Sequence, residues 1–255
     1  MKKTLIALMA LAGVAVAADI EINTLTDSAT QWNLGHANTS KRGEPSITGG
    51  VISTVLGNGG GTYDWAQEYA IYTLNKAITL TNVEDSLTLT FTYTPADTNA
   101  VALFTLVDST NKIAISAGQG AYTGALQMGA TTSIDGLFYN FKDESKDSRV
   151  LVNATASVGS VVVADKALTL QNTIAWSTEK NKFVSTVKYG DNVLGSVDVG
   201  ESFSLSSINV SMDGNKNFNV TEVALKASVI PEPTTATLSL LALAGLAARR
   251  RRASR

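Results

Sequence analysis

Residues 86–93 read Ser-Leu-Thr-Leu-Thr-Phe-Thr-Tyr, a strict alternation of small hydroxyl side chains with large apolar ones. In an extended chain successive side chains point to opposite faces, so Leu87, Leu89, Phe91 and Tyr93 share one face and the threonines the other. That period of two predicts a half-buried β-strand. Residues 101–107 are almost continuously apolar, which predicts a strand covered on both faces, and Pro95, Asp97 and Asn99 supply the connection between the two.

Later segments repeat the pattern, at 150–154, 158–163, 173–176, 183–189, 193–199, 203–212 and 218–225. Tyr189-Gly190-Asp191-Asn192 and Asp213-Gly214-Asn215-Lys216-Asn217 carry the Gly and Asn that tolerate positive φ, and both read as hairpin turns. No long stretch outside the two ends holds a helical period. Short strands with turn chemistry between them predict an all-β, antiparallel sandwich of the jelly-roll kind, built as one domain over residues 19–228.

The end of this region carries a resemblance. Val193-Leu194-Gly195-Ser196, then Leu205-Ser206-Ser207-Ile208-Asn209-Val210, then Asn219-Val220-Thr221-Glu222-Val223-Ala224-Leu225 are similar to the closing strands of laminin-G-like, concanavalin A-like domains. Those strands run as a hairpin ending in Val-Gly, a strand, a short loop and a last strand. Thr221 stands where the family often has Asp. The resemblance implies a concanavalin A-like sandwich.

Residues 1–18 have a different character. Lys2 and Lys3 precede an apolar run from Leu5 to Val16, and small residues follow at Ala15, Ala17 and Ala18. A positive start, a short apolar helix and small side chains for a peptidase pocket make a secretory leader, cut after Ala15-Val16-Ala17 or Val16-Ala17-Ala18. The run is shorter than the ~20 residues that span a bilayer, which disfavours a permanent anchor. The implied partners are the Sec translocon and a signal peptidase.

Charge and cysteine content narrow the rest. Outside the two ends, Asp19 to Ile230 hold 13 basic and 21 acidic residues, a net charge of −8. Nucleic-acid binding needs clustered Lys and Arg, so no nucleic-acid partner is expected. The chain has no cysteine, which excludes disulfides, thiol nucleophiles and thiolate metal sites.

Catalytic constellations are missing as well. His36, the only histidine, lies in Asn33-Leu34-Gly35-His36-Ala37-Asn38, a loop-like stretch with no nucleophile pattern, which predicts a loop or core-edge histidine. Glycosidases of the concanavalin A-like fold use carboxylates at close spacing on one strand, and that spacing is absent. Asp64 and Glu68 flank Trp65, but on a strand they stand ~13 Å apart, beyond the ~5 to ~9.5 Å that glycoside hydrolysis requires. Glu84-Asp85 and Asp143-Glu144 read as solvated turn residues. Asp213-Gly214-Asn215-Lys216-Asn217 opens like a calcium loop, then fails, with Phe218 at the Gly position and Ala224 at the bidentate Glu position. No catalytic residue, metal site or cofactor is assigned, and a weak Ca²⁺ site elsewhere in the sandwich stays open. Trp32, Trp65 and Trp176, with Tyr63, Tyr69 and Tyr72, offer faces on which sugar rings could stack; the competing reading puts the tryptophans in or beside the core.

The tail from residue 229 has three parts in order. Pro231, Glu232 and Pro233 form a stiff extended stretch. Residues 234–248 are uncharged and mostly apolar, about 22 Å long as a helix against a hydrocarbon core of ~30 Å. Arg249, Arg250, Arg251 and Arg252 would hold the end on the cytoplasmic side. This order resembles the PEP-CTERM sorting signal of exported bacterial proteins. The resemblance implies an exosortase as partner, a transient inner-membrane intermediate and processing near Pro231–Pro233, with the product delivered to the cell envelope, the cell surface or the medium. The alternative is a tail-anchored protein, which needs neither Pro-Glu-Pro nor so short a span. Two readings follow for the domain itself: a non-enzymatic surface protein that binds exopolysaccharide or another glycan, and a divergent glycan-active enzyme.

Overall fold

The structure, a computed structural model, describes residues 18–26, 31–36, 45–53, 67–96, 98, 102–120, 124–132, 154–213 and 218–230. Fifteen strands lie among them: β1 (Ala18–Asn23), β2 (Trp32–His36), β3 (Ser46–Thr48), β4 (Val51–Ser53), β5 (Gln67–Leu80), β6 (Ser86–Pro95), β7 (Ala102–Asp108), β8 (Ile113–Gly120), β9 (Ala125–Thr131), β10 (Ala154–Val158), β11 (Leu168–Ser177), β12 (Lys182–Tyr189), β13 (Asn192–Gly200), β14 (Phe203–Asp213) and β15 (Phe218–Val229). They form two antiparallel sheets. The first runs β13-β12-β11-β6-β15-β4-β3, with β1 also paired to β15; the second runs β10-β9-β8-β7-β14-β5-β2. No helix occurs among the described residues, and none there is long and apolar enough to cross a membrane.

The alternation in β6 sets the first sheet. Leu87, Leu89, Phe91 and Tyr93 are fully buried, while the intervening threonines face outward and pair across strands. Thr88 and Thr173 hydroxyls meet at 3.1 Å, Thr92 and Thr169 at 2.9 Å, and Thr92 donates to Glu222 at 2.8 Å. Such cross-strand pairs fix register on the solvent face. Phe91 packs on Phe104 of β7 with ring centroids 5.3 Å apart, joining the two sheets. Each such ring contributes about 1.5–3 kcal/mol by leaving water. On the far side, a Cβ on Gly195 of β13 would lie 2.5 Å from Ala156 of β10, so only glycine lets those two edges close together.

Two buried carboxylates organise the turns. Asp108 accepts from Asn111 N and from Asn111 Nδ2, and it also accepts from Ser204 N of β14 at 2.7 Å. Asp85, only 1 % exposed, accepts from Thr81 N and Asn82 N at 2.8 Å each and from Ile230 N at 2.8 Å. The solvated turn expected at Glu84-Asp85 is therefore half right. Glu84 is exposed, but Asp85 is buried because three backbone N–H groups take the place of water.

Three further expectations are corrected. His36 belongs to β2, opposite Glu68 of β5, because the partner strand supplies the pairing that its short, Gly-containing sequence does not advertise. The strand expected at 158–163 ends at Val158; Ser160 then takes a positive φ of 58°, and Val161 and Val162 N–H both donate to Gly124 O. Residues 214–217 lie outside the described residues, and the strands on either side, β14 and β15, lie in different sheets and do not form the hairpin expected there. Turn residues mark a reversal without naming the partner. The turn at Gly190, φ 54°, does close a hairpin between β12 and β13.

Tyr93 is buried with no hydrogen-bond partner for its hydroxyl, and burial pushes its phenol well above the usual range. Tyr93→Phe is expected to leave stability unchanged or raise it by up to about 1 kcal/mol, since an unsatisfied polar atom is removed. The folded state holds the phenol neutral, whereas an unfolded tyrosine ionises above about pH 10. Stability from this group is thus intact below that pH and lost as pH rises through it. Denaturant unfolding from pH 8 to 11 should show a steeper alkaline loss in the wild type than in Tyr93→Phe.

Candidate functional site

The second sheet has an unusual outer face. In β7, Phe104 and Leu106 point into the core, so Leu103, Thr105 and Val107 point the other way. Strand register extends that face into two rows. One runs Asn33, Ile71, Asn209, Thr105, Ser116, Gly129; the next runs Gly35, Tyr69, Ser211, Leu103, Gly118, Gln127. Outer faces of antiparallel sheets are usually wet. Here Asn209, Thr105, Ser116 and Ser211 are each 3 % exposed or less. The face opens only toward β2 and β5, where Asn33 is exposed and Ile71 and Tyr69 are half-buried.

Its chemistry is neutral and mixed, amides and hydroxyls interrupted by Ile71 and Leu103. Neither row contains a charged residue. The Thr105 and Ser116 hydroxyls bond to each other at 2.7 Å. Asn209 Oδ1 is buried and has no partner. Leaving an amide oxygen in that condition costs about 1–3 kcal/mol, a cost that a donor from a ligand would relieve. The Tyr69 ring lies across Gly35, where any Cβ would collide with it. Glycine there makes room for the ring at the open end of the rows. Amides and hydroxyls both donate and accept, which suits a ligand bearing many hydroxyls.

The tryptophans do not assemble into one platform. Trp32 is a core side chain: its Nε1 donates to Thr24 O at 3.0 Å and its ring packs 5.3 Å from the buried Tyr72. A buried ring offers no face to a sugar, so the stacking role considered for it is set aside. Trp176 is half-buried in the first sheet, edge-on to Phe183. Trp65, Tyr63 and Asp64 lie outside the described residues, as do Ala15, Ala17, Pro231, Glu232, Pro233 and Arg249 to Arg252. Ala18 is the first residue of β1 and pairs with Val229. Among the described residues no three His, Asp or Glu side chains converge as a metal site would require.

Of the candidate aromatic residues that lie among the described residues, Tyr69 alone falls on the open part of the outer face. Asn33, Asn209, Thr105 and Ser116 were not legible as site residues. The alternation in residues 207–212 marks Asn209 as facing away from the core, and that pattern is shared with any solvated strand.

No family model and no curated protein matches the chain in sequence. Solved structures match it in fold. A protein of unknown function with a galectin-like fold from Bacillus subtilis aligns over 85 % of this chain and 98 % of its own, with TM-score 0.51 and 8 % identity. The Emp47p carbohydrate recognition domain aligns over 83 % and 97 %, with TM-score 0.50 and 12 % identity. The chain is thus an all-β, two-sheet antiparallel sandwich, similar in fold to a galectin-like protein and to a carbohydrate recognition domain, in keeping with the sandwich that the concanavalin A-like resemblance implied.

Proposed function

We propose that the sandwich is a non-catalytic glycan-binding module, and that it is exported and sorted through the two ends of the chain. The observation that carries the binding reading is the orphaned Asn209 Oδ1, set in an uncharged row of amides and hydroxyls that opens beside the Tyr69 ring. A pyranose can lay its C–H face on the tyrosine and its hydroxyls along the row. The likeness in fold to a carbohydrate recognition domain supports the reading by analogy only, because one fold serves many functions. Catalysis is disfavoured by the uncharged rows, since glycoside hydrolysis needs two carboxyl groups at short range.

Export is supported by the order of parts at each end. The leader's Ala15-Val16-Ala17 triplet stops one residue short of the sheet, so a cut after Ala17 would leave β1 whole. The Pro231-Glu232-Pro233 stretch, the apolar segment and Arg249 to Arg252 match the PEP-CTERM order, with an exosortase as the processing partner and the cell surface or the medium as destination.

A fragment covering residues 18–230 is expected to bind neutral, hydroxyl-rich glycans on an array, with or without Ca²⁺. Tyr69→Ala and Asn209→Leu should each weaken binding at least about tenfold, or about 1.4 kcal/mol. Trp32→Phe should leave binding intact and lower stability by about 1 kcal/mol for the lost indole bond. A flat array would sink the binding reading. For sorting, the intact mass of the protein recovered from an exporting bacterium should lack Arg249 to Arg255, and a mature chain that keeps them excludes the processed-tail reading.

A further inference from the structure

The last strand is held on both sides until it reaches the tail. From Ala224 to Ser228, β15 pairs with β6, ending at Ser228 opposite Ser86. On its other edge it pairs with β1, from Ala224 opposite Asn23 to Val229 opposite Ala18. One residue later the backbone N–H of Ile230 donates to Asp85 Oδ1 at 2.8 Å. The other carboxylate oxygen of Asp85 is held by Thr81 N and Asn82 N at 2.8 Å and by Asn82 Nδ2 at 3.4 Å. The next residue, Pro231, has no N–H. Asp85 therefore fixes the last backbone donor before the Pro-Glu-Pro stretch, and no slack chain separates that stretch from the sheet.

Enzymes that cut peptides generally grip them as extended strands, through backbone groups on both sides of the bond. At residues 224–229 those groups are already committed to β1 and β6. We propose that Asp85 is a positioning residue that gates removal of the tail. While the sandwich is closed, Asp85 and the β1–β15 ladder withhold the residues before Pro231 from a processing enzyme, and fraying of this end of β15 releases them. The inference rests on the sorting reading above. It adds a mechanism by which the folded state of the domain sets how fast the tail is lost. An open cleft of about 790 Å³, lined in part by Ile20, Leu74, Val229 and Ile230, borders the same strand end.

Two measurements on the full chain test this. In detergent-solubilised wild type, hydrogen exchange should show the amides of Ile230 and Val229 protected at least about a hundredfold over free peptide; exchange at free-peptide rates overturns the proposal, whether or not any variant folds. Asp85→Ala should raise exchange at residues 225–230 and speed cutting by an added broad-specificity protease between residues 226 and 233 at least about fivefold. Asp108→Ala removes the corresponding carboxylate from the other sheet. An equal acceleration there would mean global loosening and would overturn the gate. In the exporting cell, Asp85→Ala should lose Arg249 to Arg255 faster than wild type. Tail loss at equal rates overturns the gate alone, whereas arginines retained in both forms overturn the sorting reading and the gate with it.

Discussion

Everything in this sandwich hangs on two strands that are adjacent in sequence and separated in space. β14 lies in the second sheet between β7 and β5, and β15 lies in the first between β6 on one side and β4 and β1 on the other. The chain crosses from one sheet to the other in the few residues between them. Ile208, Val210 and Met212 of β14 and Val220, Val223 and Leu225 of β15 are all buried in the single core. Neither sheet is continuous without its half of this pair. The partners are also remote: β1 waits for residues some 200 positions away. Ordering such distant segments costs loop entropy before the contacts form. Closure of this fold is therefore late and cooperative.

The buried polar groups sort into three kinds. Asp85 and Asp108 are saturated with backbone N–H donors, and each captures the end of a strand far away in sequence. Hydrogen bonds to a charged acceptor are stronger than neutral ones, which suits a group that must offset its own desolvation. Tyr93 OH and Asn172 Nδ2 lack partners on fully buried side chains that point between the sheets. Asn209 Oδ1 lacks one too, but on the outer face, in a row that reaches solvent at Asn33. The same defect carries a different meaning in the two places. On the glycan-binding reading, the third is the one that a ligand's donor would satisfy.

How far the sequence discloses this follows from what each pattern encodes. The alternation in β6 and the apolar run of β7 reveal strands and buried faces, because period and hydrophobicity are local properties. β1 to β5, β8 and β9 have no counterpart among the strands that the sequence predicts. Ala114, Gly118, Ala125 and Gly129 make the last two look like weakly patterned small-residue sequence, and both faces of these strands are buried, which erases alternation. Partner choice was hidden as well. The Gly and Asn residues after Asp213 signal a reversal, yet whether the chain returns to the same sheet depends on contacts elsewhere. Asp85 is the plainest case. An acid in a polar turn looks solvated until the distant N–H of Ile230 arrives to meet it.

The position of β15 also constrains how the chain is handled if it is exported. Because a central strand ends at Val229, the first sheet cannot be completed until nearly the whole domain has emerged. The antiparallel pairing of Ala18 with Val229 then brings the two ends together at one pole. Only residues 230–233 separate the sheet from the apolar segment, a reach of roughly 13 Å at about 3.3 Å per residue. On the sorting reading, the closed domain would stand almost at the headgroup layer, held by the end that Asp85 secures. Distance from the membrane and access to the cutting site then become one variable, because loosening the strand end lengthens the tether and exposes the backbone in the same step.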